Sequence, residues 1–152
     1  MLTLISFVSL IFYSCKKSST DTVNNTPAPT STQWVFNGVT YTAASTTFTT
    51  SNGYSILSGT GAQNNYASIE FNAVPVADGT YTVIAAAPTA PGATQCYVTV
   101  GQLPSSNFYS TGATGIVTVT VSGGLVTASF SDVSIKTGAT VSTVSGTLIQ
   151  TQ

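Results

Sequence analysis

The chain has 152 residues and a formal charge of −1; 42 % of its residues are hydrophobic and only 5 % are charged. That apolar content excludes a disordered chain. The charge count argues against nucleic-acid binding, because three lysines, two of them adjacent at Lys16 and Lys17, make no basic patch.

The first element is the apolar run LTLISFVSLIFY over residues 2–13. It has the length of a signal-peptide core and is shorter than the roughly 20 residues that span a bilayer. It ends in Ser14-Cys15-Lys16-Lys17. A small residue before a cysteine at the end of such a run resembles the lipobox of bacterial lipoproteins, and the Ser-Cys-Lys-Lys form is most similar to that of Bacteroidota. The resemblance implies export, cleavage after residue 14 and acylation of Cys15 with palmitate-type chains, each buried CH₂ adding about 0.8 kcal/mol of membrane attachment. Signal peptides usually open with a basic residue. This one opens Met1-Leu2-Thr3, which leaves the true start undetermined.

Residues 16–32, KKSSTDTVNNTPAPTST, have no hydrophobic period, and Pro27 and Pro29 favour extended backbone. They read as a tether. Within it Asp21-Thr22-Val23 resembles the O-glycosylation motif of exported Bacteroidota proteins, which makes Thr22 a candidate acceptor. Expected boundaries are therefore a signal peptide at 1–14, a lipid-anchored tether at 15–32 and a folded domain at 33–152. The expected location is the outer membrane of the cell envelope, with the periplasmic or surface face left open.

From Gln33 onward apolar and polar residues alternate with period two. Asn37-Gly38, Asn52-Gly53 and Gly123-Gly124 interrupt the alternation as two-residue hairpin turns, whose central residues need positive φ. Asp78-Gly79 precedes the run Thr80-Tyr81-Thr82-Val83-Ile84, with Asp78 expected at a turn position. Ala67, Ile69 and Phe71 should face inward, as should Cys96, Val98 and Val100. Val117, Val119 and Val121 should share a face, and Val126, Ala128 and Phe130 should pair with them. Asp132 is expected to end that strand, Val133 and Ile135 to begin another, and Val144 and Leu148 to lie in the last.

No stretch of ten or more residues has helical period. The expectation is an all-β, mostly antiparallel β-sandwich of about nine to eleven short strands rather than a barrel. The Asn-Gly opening, the Gly-Thr-Tyr-Thr-Val strand and the closing Val-Ser-Gly-Thr-Leu strand are similar to small Bacteroidota lipoproteins whose β-sandwich domains carry no established activity.

Chemistry has little to work with. There is no histidine and no arginine, which removes Ser-His-Asp and Cys-His arrangements and the usual zinc sites. Cys96 reads as a buried small hydrophobe. Glu70, Asp78 and Asp132 are the carboxylates of the domain; a glycan hydrolase would need two of them across a cleft. Neither cofactor nor metal is expected, and no catalytic residue is assigned. Aromatics remain. Trp34, Tyr54, Tyr66, Tyr97 and Tyr109 are of the type that stacks on sugar rings, and Tyr66, Tyr97 and Trp34 are the first candidates. Tyr97 would point outward if Cys96 points in. The leading expectation is a non-enzymatic lipoprotein that binds a glycan or an envelope protein. A structural coat or adhesion component is the alternative, and a carboxylate-dependent glycan hydrolase the third reading.

Overall fold

The computed structural model describes residues 30–102 and 106–152. Cys15 and Thr22 lie outside the described residues. The structure is all-β. Its strands are β1 (Gln33–Phe36), β2 (Val39–Ser51), β3 (Tyr54–Gly61), β4 (Asn65–Phe71), β5 (Gly79–Val83), β6 (Gln95–Gln102), β7 (Ser106–Ser110), β8 (Ile116–Ser122), β9 (Leu125–Thr137) and β10 (Thr140–Ile149). Among the described residues no helix is long and apolar enough to cross a membrane.

The three hairpin turns form as their residues dictate. Asn37 and Gly38 have φ of 50° and 75°, Asn52 and Gly53 of 52° and 81°, and Gly123 and Gly124 of 59° and 78°. Both central residues of each turn therefore occupy the left-handed region that matches the twist of the flanking strands.

The ten strands make one mostly antiparallel sheet in the order β10-β1-β2-β3-β4-β6-β5-β8-β9-β7. The exception is β5–β6, which is parallel. Two further pairings, β9–β10 and β6–β7, join distant parts of that order. The sheet thus folds over on itself, and its two halves enclose a single core in the manner of a sandwich. All the residues expected inward are there: Ala67, Ile69, Phe71, Cys96, Val98, Val100, Val117, Val119, Val126, Ala128, Phe130, Val144 and Leu148 are buried, and Val121 packs against them.

Two strands depart from the expected short length. β2 and β9 each run 13 residues. Each contains a bulge, which lets a strand bend and change partner. In β2 the register shifts between Ala43 and Ser45, so inward positions move from Tyr41 and Ala43 to Thr46 and Phe48. In β9 the shift falls opposite Ser145. Val144 pairs with Val133 and Gly146 with Phe130, so two residues of β9, Ser131 and Asp132, face one of β10. Asp132 takes φ 51°, and its backbone N–H donates to Ser145 Oγ at 2.9 Å. Asp132 therefore does not end a strand. It carries β9 through a kink that moves the inward face from Phe130 to Val133 and Ile135.

Asp78 also differs from expectation. It is not a turn residue; its Oδ1 accepts the Val121 backbone N–H at 2.7 Å, tying the approach to β5 to the end of β8. The folded domain also takes in Thr32, which is buried and hydrogen-bonded to β10.

Candidate functional site

Side chains that point away from the core on β4, β6, β7 and β9 form the site. Cross-strand register brings them into rows. Ser68 of β4 pairs with Thr99 of β6, Thr99 with Tyr109 of β7, and Tyr109 with Lys136 of β9. Directly opposed residues put their side chains on the same face about 5 Å apart, so these four are successive neighbours. A second row runs Tyr66, Gly101, Asn107.

Gly101 is required here. A Cβ at that position would stand 2.6 Å from Asn107 Oδ1 and 3.0 Å from Tyr66 Cε1. Its absence lets the Tyr66 ring and the Asn107 amide close over β6. Burial, then Tyr109, then Glu70 raise the Tyr66 hydroxyl to a pKa of about 12, so it is a neutral donor at any physiological pH.

Two polar atoms on this face lack a protein partner among the described residues. They are Thr99 Oγ1, on a residue only 4 % exposed, and Asn107 Oδ1. Native proteins rarely leave such atoms unpaired, and those that remain call for water or a ligand. Tyr109 beside them is 46 % exposed. Its hydroxyl accepts from Asn107 Nδ2 at 3.4 Å.

The segment over residues 84–94 forms one wall. Ala86 N–H donates to Ser110 O at 3.0 Å, and Ser110 Oγ donates to Ile84 O at 2.7 Å. Between this wall and the β7–β9 pair lies an open cleft of about 490 Å³. Ala85, Ala86, Ala87, Pro88, Tyr109 and Lys136 are among its lining residues.

The three aromatic candidates are divided by this arrangement. Tyr66 lies half-buried on the face just described. Tyr97 does point away from Cys96, but it is not available to a ligand. The 84–94 segment covers it, its hydroxyl donates to Thr89 O at 2.6 Å, its ring meets Tyr54 at 6.2 Å, and it is 2 % exposed. Trp34 is also 2 % exposed, because it points into the core and stacks on Tyr41 at 5.6 Å. Sequence reading did not single out Lys136, Thr99 or Asn107. The β7–β9 pairing that makes Lys136 a neighbour of Tyr109 joins residues 27 positions apart with β8 between them, and no turn signal announces it.

The carboxylates do not assemble. Glu70 sits on the outer side of β4 between Ile56 and Tyr97, and burial raises its pKa. Asp78 holds Val121 N–H, and Asp132 accepts from Ser131 Oγ at 3.0 Å. Among the described residues no three of the His, Cys, Asp and Glu side chains gather in a way that would hold a metal ion.

A broader groove, about 990 Å³, crosses the outer surface of β1, β8, β9 and β10. Gln33, Val35, Thr118, Ser129, Ser145 and Thr147 line much of it. It is larger but chemically quieter. It holds no ionisable side chain, and Ser129 and Thr147 hydrogen-bond each other at 3.0 Å. The smaller cleft combines an exposed ring, a cation and an apolar wall, a combination that can orient a ligand. Comparison with family models, with curated proteins and with solved structures finds no match to the chain.

Proposed function

We propose that this is an exported envelope lipoprotein, held by acyl chains on Cys15, whose β domain is a non-enzymatic glycan-binding module. The Ser14-Cys15-Lys16-Lys17 junction supports the anchor. The observation that carries the binding reading is the row Thr99-Tyr109-Lys136, where an exposed ring stands next to a buried hydroxyl that has no partner among the described residues. A sugar ring offers what such a face needs: an apolar C–H side to lie on the tyrosine and hydroxyls to complete its hydrogen bonds.

The acylated chain in detergent micelles, applied to a glycan array, should bind a subset of glycans, and Tyr109→Ala should abolish that binding. Mass spectrometry of the purified protein should find an N-terminal acylated Cys15. An uncleaved leader would overturn the anchor. An array without signal, together with turnover of some substrate, would overturn the binding module.

The second reading is a structural coat component. The hydroxyl-lined groove over β1, β8, β9 and β10 favours it, since it holds no ionisable side chain and its Ser129 and Thr147 hydroxyls hydrogen-bond each other. Deletion that alters adhesion or envelope integrity, with no glycan bound in vitro, would support it instead.

A further inference from the structure

We infer that the cleft beside Tyr109 takes an acidic saccharide, its carboxylate held by Lys136; the inference rests on the glycan-binding reading above. The folded part of the chain contains one cationic side chain, Lys136, since the other two lysines are Lys16 and Lys17. It makes no ion pair among the described residues. The sheet nevertheless places it at a specific point, directly across from the most exposed tyrosine of the face and on the rim of the cleft. The flanking residue on the other side is Val141, 64 % exposed and without charge. An anion entering here meets one positive charge and no carboxylate among the lining residues.

The cleft volume of about 490 Å³ falls within the range of small-molecule sites, about 300–1,000 Å³. Its far wall is narrow and apolar, Ala85-Ala86-Ala87-Pro88, and it is held in place. Ala85 bridges to Thr111, Ala86 N–H bonds Ser110 O, and the Tyr54 hydroxyl donates to Ala87 O at 3.4 Å. A pyranose lying on the Tyr109 ring can therefore direct an equatorial carboxylate toward Lys136 Nζ. Its hydroxyls can meet Ser110 and Thr137, the hydroxyl residues that line the same cleft. Aromatic ring and cation come from two strands, β7 and β9, and face one apolar wall across the cleft.

The test uses the full chain in detergent micelles, titrated calorimetrically with trigalacturonate and with its fully methyl-esterified form. The acid should bind about tenfold more tightly than the ester, the size expected of one charge-assisted hydrogen bond. Raising salt from 20 to 300 mM should weaken the acid and leave the ester unchanged. Lys136→Met should remove the difference between the two, and Lys136→Arg should keep it. Both substitutions are at an exposed position and should leave the far-ultraviolet circular dichroism unaltered. Equal affinity for acid and ester would overturn the acidic-ligand inference and leave the binding module standing. Failure of both trisaccharides, with array signal for neutral glycans that Tyr109→Ala abolishes, would overturn it too. No signal from any glycan would remove the reading beneath it as well.

Discussion

The hydroxyls of Thr32 and Thr46 stand 2.6 Å apart inside the domain, and Thr32 Oγ1 also accepts the Ile149 backbone N–H at 2.8 Å. One side chain thus joins the start of the folded domain, the second strand and the last. Beyond it, Thr151 N–H donates to Thr46 O at 2.9 Å, so both ends of the domain are fastened to the same residue. Thr32→Val keeps the shape and removes the hydroxyl, leaving the part-buried Ile149 N–H and the buried Thr46 hydroxyl short of a partner. We expect a loss of about 1–3 kcal/mol in urea unfolding. Ser31→Ala, one position earlier and exposed, should change nothing.

Glu70 should make stability depend on pH in the less common direction. Burial raises its pKa, so the folded state takes up a proton before the unfolded chain does. Protons bound preferentially by the folded state stabilise it. Stability should therefore increase as pH falls from neutrality through the raised folded pKa, and level off below the ordinary carboxylate value. Glu70→Gln should flatten this profile and add stability at pH 7. The gain should be small, because the side chain keeps partial contact with water. Denaturation midpoints at pH 7 and pH 5 for both proteins check the slope; a wild-type midpoint that falls over that interval, with no change in the variant's, would contradict it.

Gly146 sits across from Trp34, and a Cβ there would come within 2.7 Å of Gln33 O and 2.8 Å of Trp34 Cβ. These are backbone and root atoms that cannot swing aside. Gly146→Ala should cost about 1–3 kcal/mol, or more if β1 is displaced. Gly79→Ala is the control, since its nearest atom would be Tyr81 Cε2 at 3.6 Å, ordinary contact. Equal effects of the two on the melting temperature would count against this packing.

Cys96 should be inert until the protein opens. It is fully buried, and burial pushes its thiol up to a pKa of about 12, so almost no thiolate exists at pH 8. Iodoacetamide should modify the Cys96 peptide only in denaturant. Comparable rates with and without denaturant would show that β6 is accessible in the native protein.

Much of this architecture is legible in the residues because its signals are local. The alternation Val117-Thr118-Val119-Thr120-Val121, closed by Gly123-Gly124 and answered by Val126, Ala128 and Phe130, allows one register only. The misreadings share a cause. Asp132 was expected at a strand end because the inward pattern slips there by one residue; in fact a bulge preserves the strand while changing its parity. Tyr97 was expected outside because period two gives the direction of a side chain and not what lies over it. The cover is the 84–94 segment, whose sequence IAAAPTAPGAT has no period to place it. Likewise Trp34 belonged to the candidate list on chemistry alone, and its inward direction follows only from pairing with Gly146 and Tyr41. The candidate cleft depends on contacts between strands far apart in sequence, which no local signal encodes.

The circuit of pairings has a consequence for how copies of this protein coexist. Every one of the ten strands has at least two hydrogen-bonded neighbours. With 5 % charged residues, the molecule has little electrostatic repulsion with which to keep its neighbours at a distance. Unpaired strand margins would then recruit other chains into shared sheets, the usual route to aggregation in β proteins. By closing on itself, the sheet leaves few such margins among the described strands, and its exterior is free to be built from threonine and serine.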